Sequence, residues 1–235
     1  MRKYVVADVR GELVLLRKLI DKIGPTVDDH LVFLGSYMGP GPDSKGVIDF
    51  LLDLRTKVPN CSFLQGCYEY VFSRALESET DWQTLQLWGS MQGQHVYESY
   101  KAKDSLMVIN PLEAGKVVQM KMNIPATHIN FIQHDLHQWY EDDIFPFIAC
   151  HSGGHPLLFG GKLEHEGQTI FSERDWWLQD GRRIPGKTVI FSHVPFPKIF
   201  RRCGKLGLDL GCGFGGKLAA FEMVSDSCTV VSHGA

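Results

Sequence analysis

Six side chains stand where chemistry is most often done, at the ends of short apolar runs. Asp8 and Arg10 follow Tyr4–Ala7, Ser36 follows Leu31–Leu34, and Cys67 follows Ser62–Leu64. His151 follows Phe147–Cys150, and His193 follows Val189–Phe191. A Cys with two His is a plausible zinc set with one position left open, able in principle to polarise water. The three residues are far apart in sequence, so their spacing lends this reading no independent support. Asp8 and Arg10 lie two apart at a strand end, so both side chains can point to one face. We expect the Arg10 guanidinium to neutralise Asp8, with a solvent-facing Arg10 as the plain alternative.

The elements that must position these residues alternate. Leu13, Leu15, Leu16, Leu19, Ile20 and Ile23 follow helical spacing and stop at Gly24-Pro25. Pro42-Asp43-Ser44 can start a second helix, with Val47, Ile48, Leu51 and Leu54 on its apolar stripe. Glu69–Leu76 has helical character, and the tail from Lys217 to Val231 has the pattern of a closing hairpin. Strand–loop–helix alternation favours an α/β architecture, in which loops at the carboxyl ends of strands gather into one site.

Composition bounds the function. The 235 residues carry 24 Lys+Arg against 27 Asp+Glu, a net charge of −3, which argues against nucleic acid or an anionic membrane as main partner. The apolar run Tyr4–Ala7 is too short for a signal-peptide core, so a cytoplasmic protein is expected. The six cysteines show no CxxC spacing and are expected to be free thiols, largely buried. With no repeat and no linker, residues 1–235 are expected to form one domain. Ten histidines make the chain rich in metal-ligand types. His128, His134 and His137 fall in a polar, helical stretch; His134 and His137 stand at i,i+3, a spacing that can bind metal, with a solvated helix face as the expected reading, and His30, His95, His165 and His233 have no company that suggests chemistry. The aromatic groups Trp82, Trp88, Tyr97, Tyr100 and Trp176-Trp177 are expected to pack in a core or cap. Arg182-Arg183 and Arg201-Arg202 are basic pairs, expected to be solvated or to face an acidic partner.

Taken in order, the segments resemble the calcineurin-like metallophosphoesterases, in particular the bacterial and phage Ser/Thr protein phosphatase and diadenosine tetraphosphatase branch. The family's opening Gly-Asp-x-His-Gly is similar to Ala7-Asp8-Val9-Arg10-Gly11. Its Gly-Asp-x-x-Asp-Arg-Gly-Pro-Asp-Ser is similar to Gly35-Ser36-Tyr37-Met38-Gly39-Pro40-Gly41-Pro42-Asp43-Ser44. Its Arg-Gly-Asn-His-Glu resembles Gln65-Gly66-Cys67-Tyr68-Glu69, and two later histidine blocks resemble His151-Ser152-Gly153 and Ser192-His193-Val194-Pro195. The closing glycine block matches Asp209, Gly211, Gly215, Gly216 and Leu218. The resemblance implies a four-layer α/β/β/α sandwich.

The departures from the pattern fall on the chemistry. The Asp that bridges two metals in the family is Ser36 here, and a neutral hydroxyl cannot hold two divalent cations ~3.5–4 Å apart. A ligand His is Arg10, which cannot ligate. The Asn ligand is Cys67, the adjacent His is Tyr68, and the Asp that orients that His is Gly39. The phosphate-gripping arginines are Pro40 and Gln65. Asp8, His151 and His193 remain from the metal shell. By resemblance, then, the metal candidates are Asp8, Cys67, His151 and His193, and Arg10, Ser36, Tyr68 and His155 would line a ligand cleft. The reading is a pseudophosphatase: the fold kept as a binding or regulatory module, with no cofactor expected and a protein or small phosphorylated ligand as partner. Two alternatives stand beside it: a metal-dependent phosphoesterase with a reduced site holding a single zinc or manganese ion, and a small-ligand sensor using the old cleft.

Overall fold

A computed structural model of the chain describes residues 1–76, 82–100, 124–153, 155 and 176–234. His165 lies outside them.

The first apolar runs build a five-stranded sheet. Strands β1 (Lys3–Val6), β2 (His30–Phe33) and β3 (Cys61–Phe63) pair in parallel, with Val5 opposite Val32 and Phe33 opposite Phe63. The predicted tail hairpin forms as β9 (Leu218–Glu222) and β10 (Ser227–Val231), and β9 joins β1 antiparallel. The spatial order is β10-β9-β1-β2-β3. All four residues of β1 are buried. Such a run of buried residues, rather than an alternation, marks a strand covered on both faces.

Helix α1 (Leu13–Ile23) and helix α2 (Ser44–Lys57) cover this sheet with their apolar stripes, Leu15, Leu16, Leu19 on one and Val47, Ile48, Leu51 on the other. Gly24 closes α1 in the left-handed conformation, as Gly24-Pro25 implied. Asp43 caps α2 by accepting the Gly46 amide on its carboxylate at 2.8 Å. Beyond β3 pack α3 (Cys67–Ala75), α4 (Trp82–Ser90), α5 (Gln94–Ser99) and α6 (Ala126–His134).

The second sheet has the order β4-β5-β6-β8-β7, from β4 (Trp139–Glu141), β5 (Phe147–Cys150), β6 (Thr188–Phe191), β7 (Phe200–Arg202) and β8 (Lys205–Gly207). Its inner strands β5, β6 and β8 are parallel, and its edges are antiparallel. The two sheets meet through Phe147 and Phe221, whose rings lie 5.5 Å apart. They also meet through a buried Lys3, whose Nζ reaches Asp142 at 2.6 Å. On the far side of the second sheet, the single-turn helix Trp176–Leu178 sets Trp176 and Trp177 against Ile148, Val189 and Phe191. The architecture is the expected α/β one, two mixed sheets with flanking helices.

Two local expectations are corrected, at His137 and at the cysteines. His128 is buried, with Nδ1 on the Tyr100 hydroxyl at 2.8 Å and Nε2 on Asp49 at 2.9 Å. His137 lies past the end of α6, bridging to Leu64, so it shares no helix face with His134. Cys203 and Cys228 are exposed, while Cys67, Cys150 and Cys212 are buried as expected. The basic pairs are partly engaged, Arg201 with Asp226 and Arg202 with Asp180, each at 2.8 Å. Trp88 forms a buried aromatic group with Tyr68, Phe72 and Tyr97. No helix among the described residues is long and apolar enough to cross a membrane.

Candidate functional site

The carboxyl ends of the parallel strands of both sheets converge. Asp8 and Arg10 follow β1, Ser36 follows β2, Cys67 follows β3, His151 follows β5, His193 follows β6 and Asp209 follows β8. Gathering needs the loops after β2 and β3 to touch, and Gly35 and Gly66 allow it. A Cβ on Gly35 would stand 2.5 Å from the Gly66 nitrogen, and one on Gly66 2.0 Å from the Ser36 nitrogen. Glu69 then ties the loops together. Its buried carboxylate accepts the amides of Ser36 and Tyr37 at 2.8 Å and those of Met38 and Gly66 at 3.1 Å.

Arg10 turns inward. Its Nη2 stands 2.9 Å from Asp8 and 2.6 Å from Asp209, its Nη1 3.1 Å from Asp209, and Nη2 also donates to the His193 carbonyl at 3.0 Å. The Phe214 ring covers the guanidinium at 5.1 Å. Burial works against the charged form of Arg10, but Asp8 and Asp209 outweigh it and raise its pKa above the ordinary value. Asp8 is fully buried, and burial alone would raise its pKa; His151 and Arg10 overcome this and lower it. Neither Asp8 carboxylate oxygen has a well-aligned hydrogen bond. Their charge is met by Arg10 and by His151 Nδ1 at 3.4 Å.

Beside this ion pair, Cys67, His151 and His193 bring one donor atom each to within 4.8 Å of one another. Cys67 opens α3, and its Sγ lies 3.5 Å from the Ser36 hydroxyl. Burial pushes the thiol up, but hydrogen bonds from His151 and His193 prevail and bring it down to about 6. Burial disfavours a charged His151, whereas Asp8 and Cys67 draw a second proton to it. Both ring nitrogens are already committed: Nδ1 lies 2.9 Å from the Leu34 carbonyl, and Nε2 accepts the Cys67 amide at 3.2 Å. The amide on Nε2 leaves no place for that second proton, so, against the pull of Asp8 and Cys67, the hydrogen bonds describe a neutral ring with its proton on Nδ1. Arg10, Ser36 and His193 all have positive φ, at 49°, 48° and 71°. Non-glycine residues held there carry strain of order 1–3 kcal/mol, which collects at functional sites.

No protein-family model and no curated protein sequence matches the chain. Solved structures do. A candidate diadenosine tetraphosphatase superposes with a TM-score of 0.66 at 18% identity, covering 100% of this chain and 95% of that one. A metallophosphoesterase from Sphaerobacter thermophilus gives 0.54 at 15%, covering 98% and 87%. A Ser/Thr protein phosphatase from Saccharomyces cerevisiae gives 0.59 at 8%, covering 100% and 81%. The chain has the metallophosphoesterase fold.

On this metallophosphoesterase fold, the residues singled out from the sequence divide into three groups. Cys67, His151 and His193 come together, and Asp8 stands beside them but is paired with Arg10. Gly39 and Pro40 lie on the loop against Arg10: a Cβ on Gly39 would be 2.9 Å from the Arg10 Cα. Gln65 sits on the loop into α3, its amide on the His137 carbonyl. The ligand cleft expected from Arg10, Ser36, Tyr68 and His155 is here a packed interior, for each is at most 5% exposed. The Tyr68 hydroxyl donates to the Met91 carbonyl at 2.9 Å, and the His155 ring packs edge-on against Trp139. Asp209 was not singled out as a site residue, although it closes the ion pair on Arg10. Its place at the head of the glycine block was the available signal.

A metal fits one half of this site and not the other. Between Asp8 and Asp209 the cation is the chain's own guanidinium, and Ser36 offers no bridging charge. Around Cys67, the donor set suits a single ion.

Proposed function

We propose that this protein is a pseudophosphatase, a metallophosphoesterase-fold module that binds or regulates a protein partner rather than hydrolysing phosphate esters. The observation that carries this reading is Arg10, buried between Asp8 and Asp209. Two-metal hydrolysis uses paired cations to stabilise the attacking and leaving oxygens of an in-line displacement. Here one cation is a guanidinium whose hydrogen bonds are directed at Asp209 and the His193 carbonyl, and which can neither ligate nor activate water. The absence of arginines at Pro40 and Gln65 removes the bidentate grips for a phosphoryl group.

The test is turnover of an aryl phosphate and of a dinucleoside polyphosphate by the full chain with added Mn²⁺ or Zn²⁺. The expected rate is that of buffer. Turnover that disappears in His151→Ala would overturn the reading in favour of the second one, a phosphoesterase with a reduced, single-metal site. The gathering of Cys67, His151 and His193 is what favours that second reading.

A further inference from the structure

We infer that Cys67, His151 and His193 form a thiolate site for one soft divalent ion of the zinc type, distinct in its metal preference from an oxygen- and nitrogen-lined dinuclear centre. The inference rests on the reading above only in taking the other half of the site as filled by Arg10.

Three features support it. The donor set is one sulfur and two imidazoles, and thiolate selects zinc over manganese, magnesium or calcium. Tetrahedral zinc with a thiolate at about 2.3 Å and imidazoles at about 2.0–2.1 Å asks for donors roughly 3.4–3.6 Å apart. The three donor atoms already lie within 4.8 Å of one another. His151 is also already oriented for ligation. Its Nδ1 is held by the Leu34 carbonyl at 2.9 Å, with Asp8 at 3.4 Å behind it, so its Nε2 lone pair faces Cys67, where an incoming ion would replace the Cys67 amide now at 3.2 Å. A ligating imidazole commonly has its second nitrogen held in this way by a carbonyl or carboxylate.

Charge gives the third feature. Asp8 and Asp209 are two buried carboxylates facing one permanent cation, Arg10, which leaves one excess negative charge, and a Cys67 that gives up its proton to an incoming ion adds a second. Buried charge without a partner is costly. A single divalent ion beside Arg10 brings the group to neutrality, whereas two would overshoot. His193 is the half-buried member of the three, so the fourth coordination position opens on its side.

The test is titration of the full chain, freed of metal, with Co²⁺. A thiolate ligand gives a sulfur-to-cobalt charge-transfer absorption that oxygen and nitrogen ligands do not. One equivalent is expected to saturate that band, and Zn²⁺ but not Mn²⁺ to abolish it by displacement. Cys67→Ser should lose the band and bind Zn²⁺ about a hundredfold more weakly or worse. The double variant Cys203→Ser, Cys228→Ser, which removes the exposed thiols, should keep the band. His193→Gln serves as a second ligand variant should Cys67→Ser not fold. No band in the unmodified chain, a band that persists in Cys67→Ser, or a cobalt affinity in His193→Gln equal to that of the unmodified chain overturns the inference. Phosphoester turnover measured in the same zinc-loaded sample separates the two readings. Turnover contradicts the non-catalytic function and leaves the zinc site standing, while a missing band does the reverse.

Discussion

Arg10 is the residue on which the interior of the site depends. It is the permanent cation within reach of two buried carboxylates, so its removal leaves Asp8 and Asp209 facing each other uncompensated. Breaking one partner of a buried ion pair costs roughly 3–5 kcal/mol. Arg10→Met should therefore lower unfolding stability by about that amount in urea titration, and a loss below about 1 kcal/mol would show that the guanidinium is not needed. Arg10→His would restore a ligand type but not the bridging charge that Ser36 lacks, so it should not by itself produce hydrolysis. Glu69 matters in the same way. Its carboxylate accepts four loop amides, and Glu69→Ala would orphan them at about 1–3 kcal/mol for each donor left buried and unsatisfied. Loss of native near-ultraviolet dichroism or of cooperative unfolding is the expected result. The Asp8–Arg10 contact could be read from two residues on one strand end. Asp209 could not, because 199 residues separate it from Arg10 and only the pairing of the two sheets brings them together.

At the scale of elements, the join between the sheets carries a pH dependence. Asp142 follows β4 and meets Lys3 of β1. Burial works to raise its pKa, but the Lys3 ammonium, the amides of Phe145 and Ile144 and the Tyr140 hydroxyl outweigh it and hold it at about 2. A carboxylate with a folded pKa below its unfolded one stabilises the fold above the unfolded value of about 4 and loses that contribution as pH falls toward 2. The unmodified chain should thus lose stability between pH 4 and 2 more steeply than Asp142→Asn, measured by urea unfolding at several pH values. Equal slopes would remove Asp142 from this role. Asp43→Ala, which deletes the cap of α2, should cost about 1 kcal/mol in the same assay. Helices α1, α2 and α3 and the inner strands were legible because burial on one or both faces writes a clear period, whereas α4 and α5 were not read as helices. Strands β4 and β7 were not legible, being three residues each at sheet edges, with Trp139-Tyr140-Glu141 and Phe200-Arg201-Arg202 showing no apolar run. Their pairing comes from the neighbouring strands, not from their own pattern.

At the scale of the whole molecule, the proposed reading separates the fold from the chemistry. The glycines and acids that shape loops, among them Gly35, Gly66, Asp43 and Glu69, do here the structural work that their positions imply. The two sheets and their helices need them whether or not phosphate is cleaved. Ser36, Gly39, Pro40, Gln65 and Tyr68 depart from the phosphatase pattern, and the structure uses these positions for packing: Gly39 lies against the Arg10 backbone and Tyr68 against Trp88. What the sequence could not convey was the closure of the interior, since burial of Arg10, Ser36, Tyr68 and His155 depends on how the loops of both sheets meet. The central claim is that Arg10 has taken the place of one of the two metals. The most direct measurement is the number of divalent ions bound per chain when the protein, purified without a histidine tag, is equilibrated with saturating Zn²⁺ or Mn²⁺ and analysed for metal content. The account predicts no more than one bound ion per chain, unchanged by Cys203→Ser and Cys228→Ser. Two ions per chain, with one lost in Asp8→Ala, would contradict it.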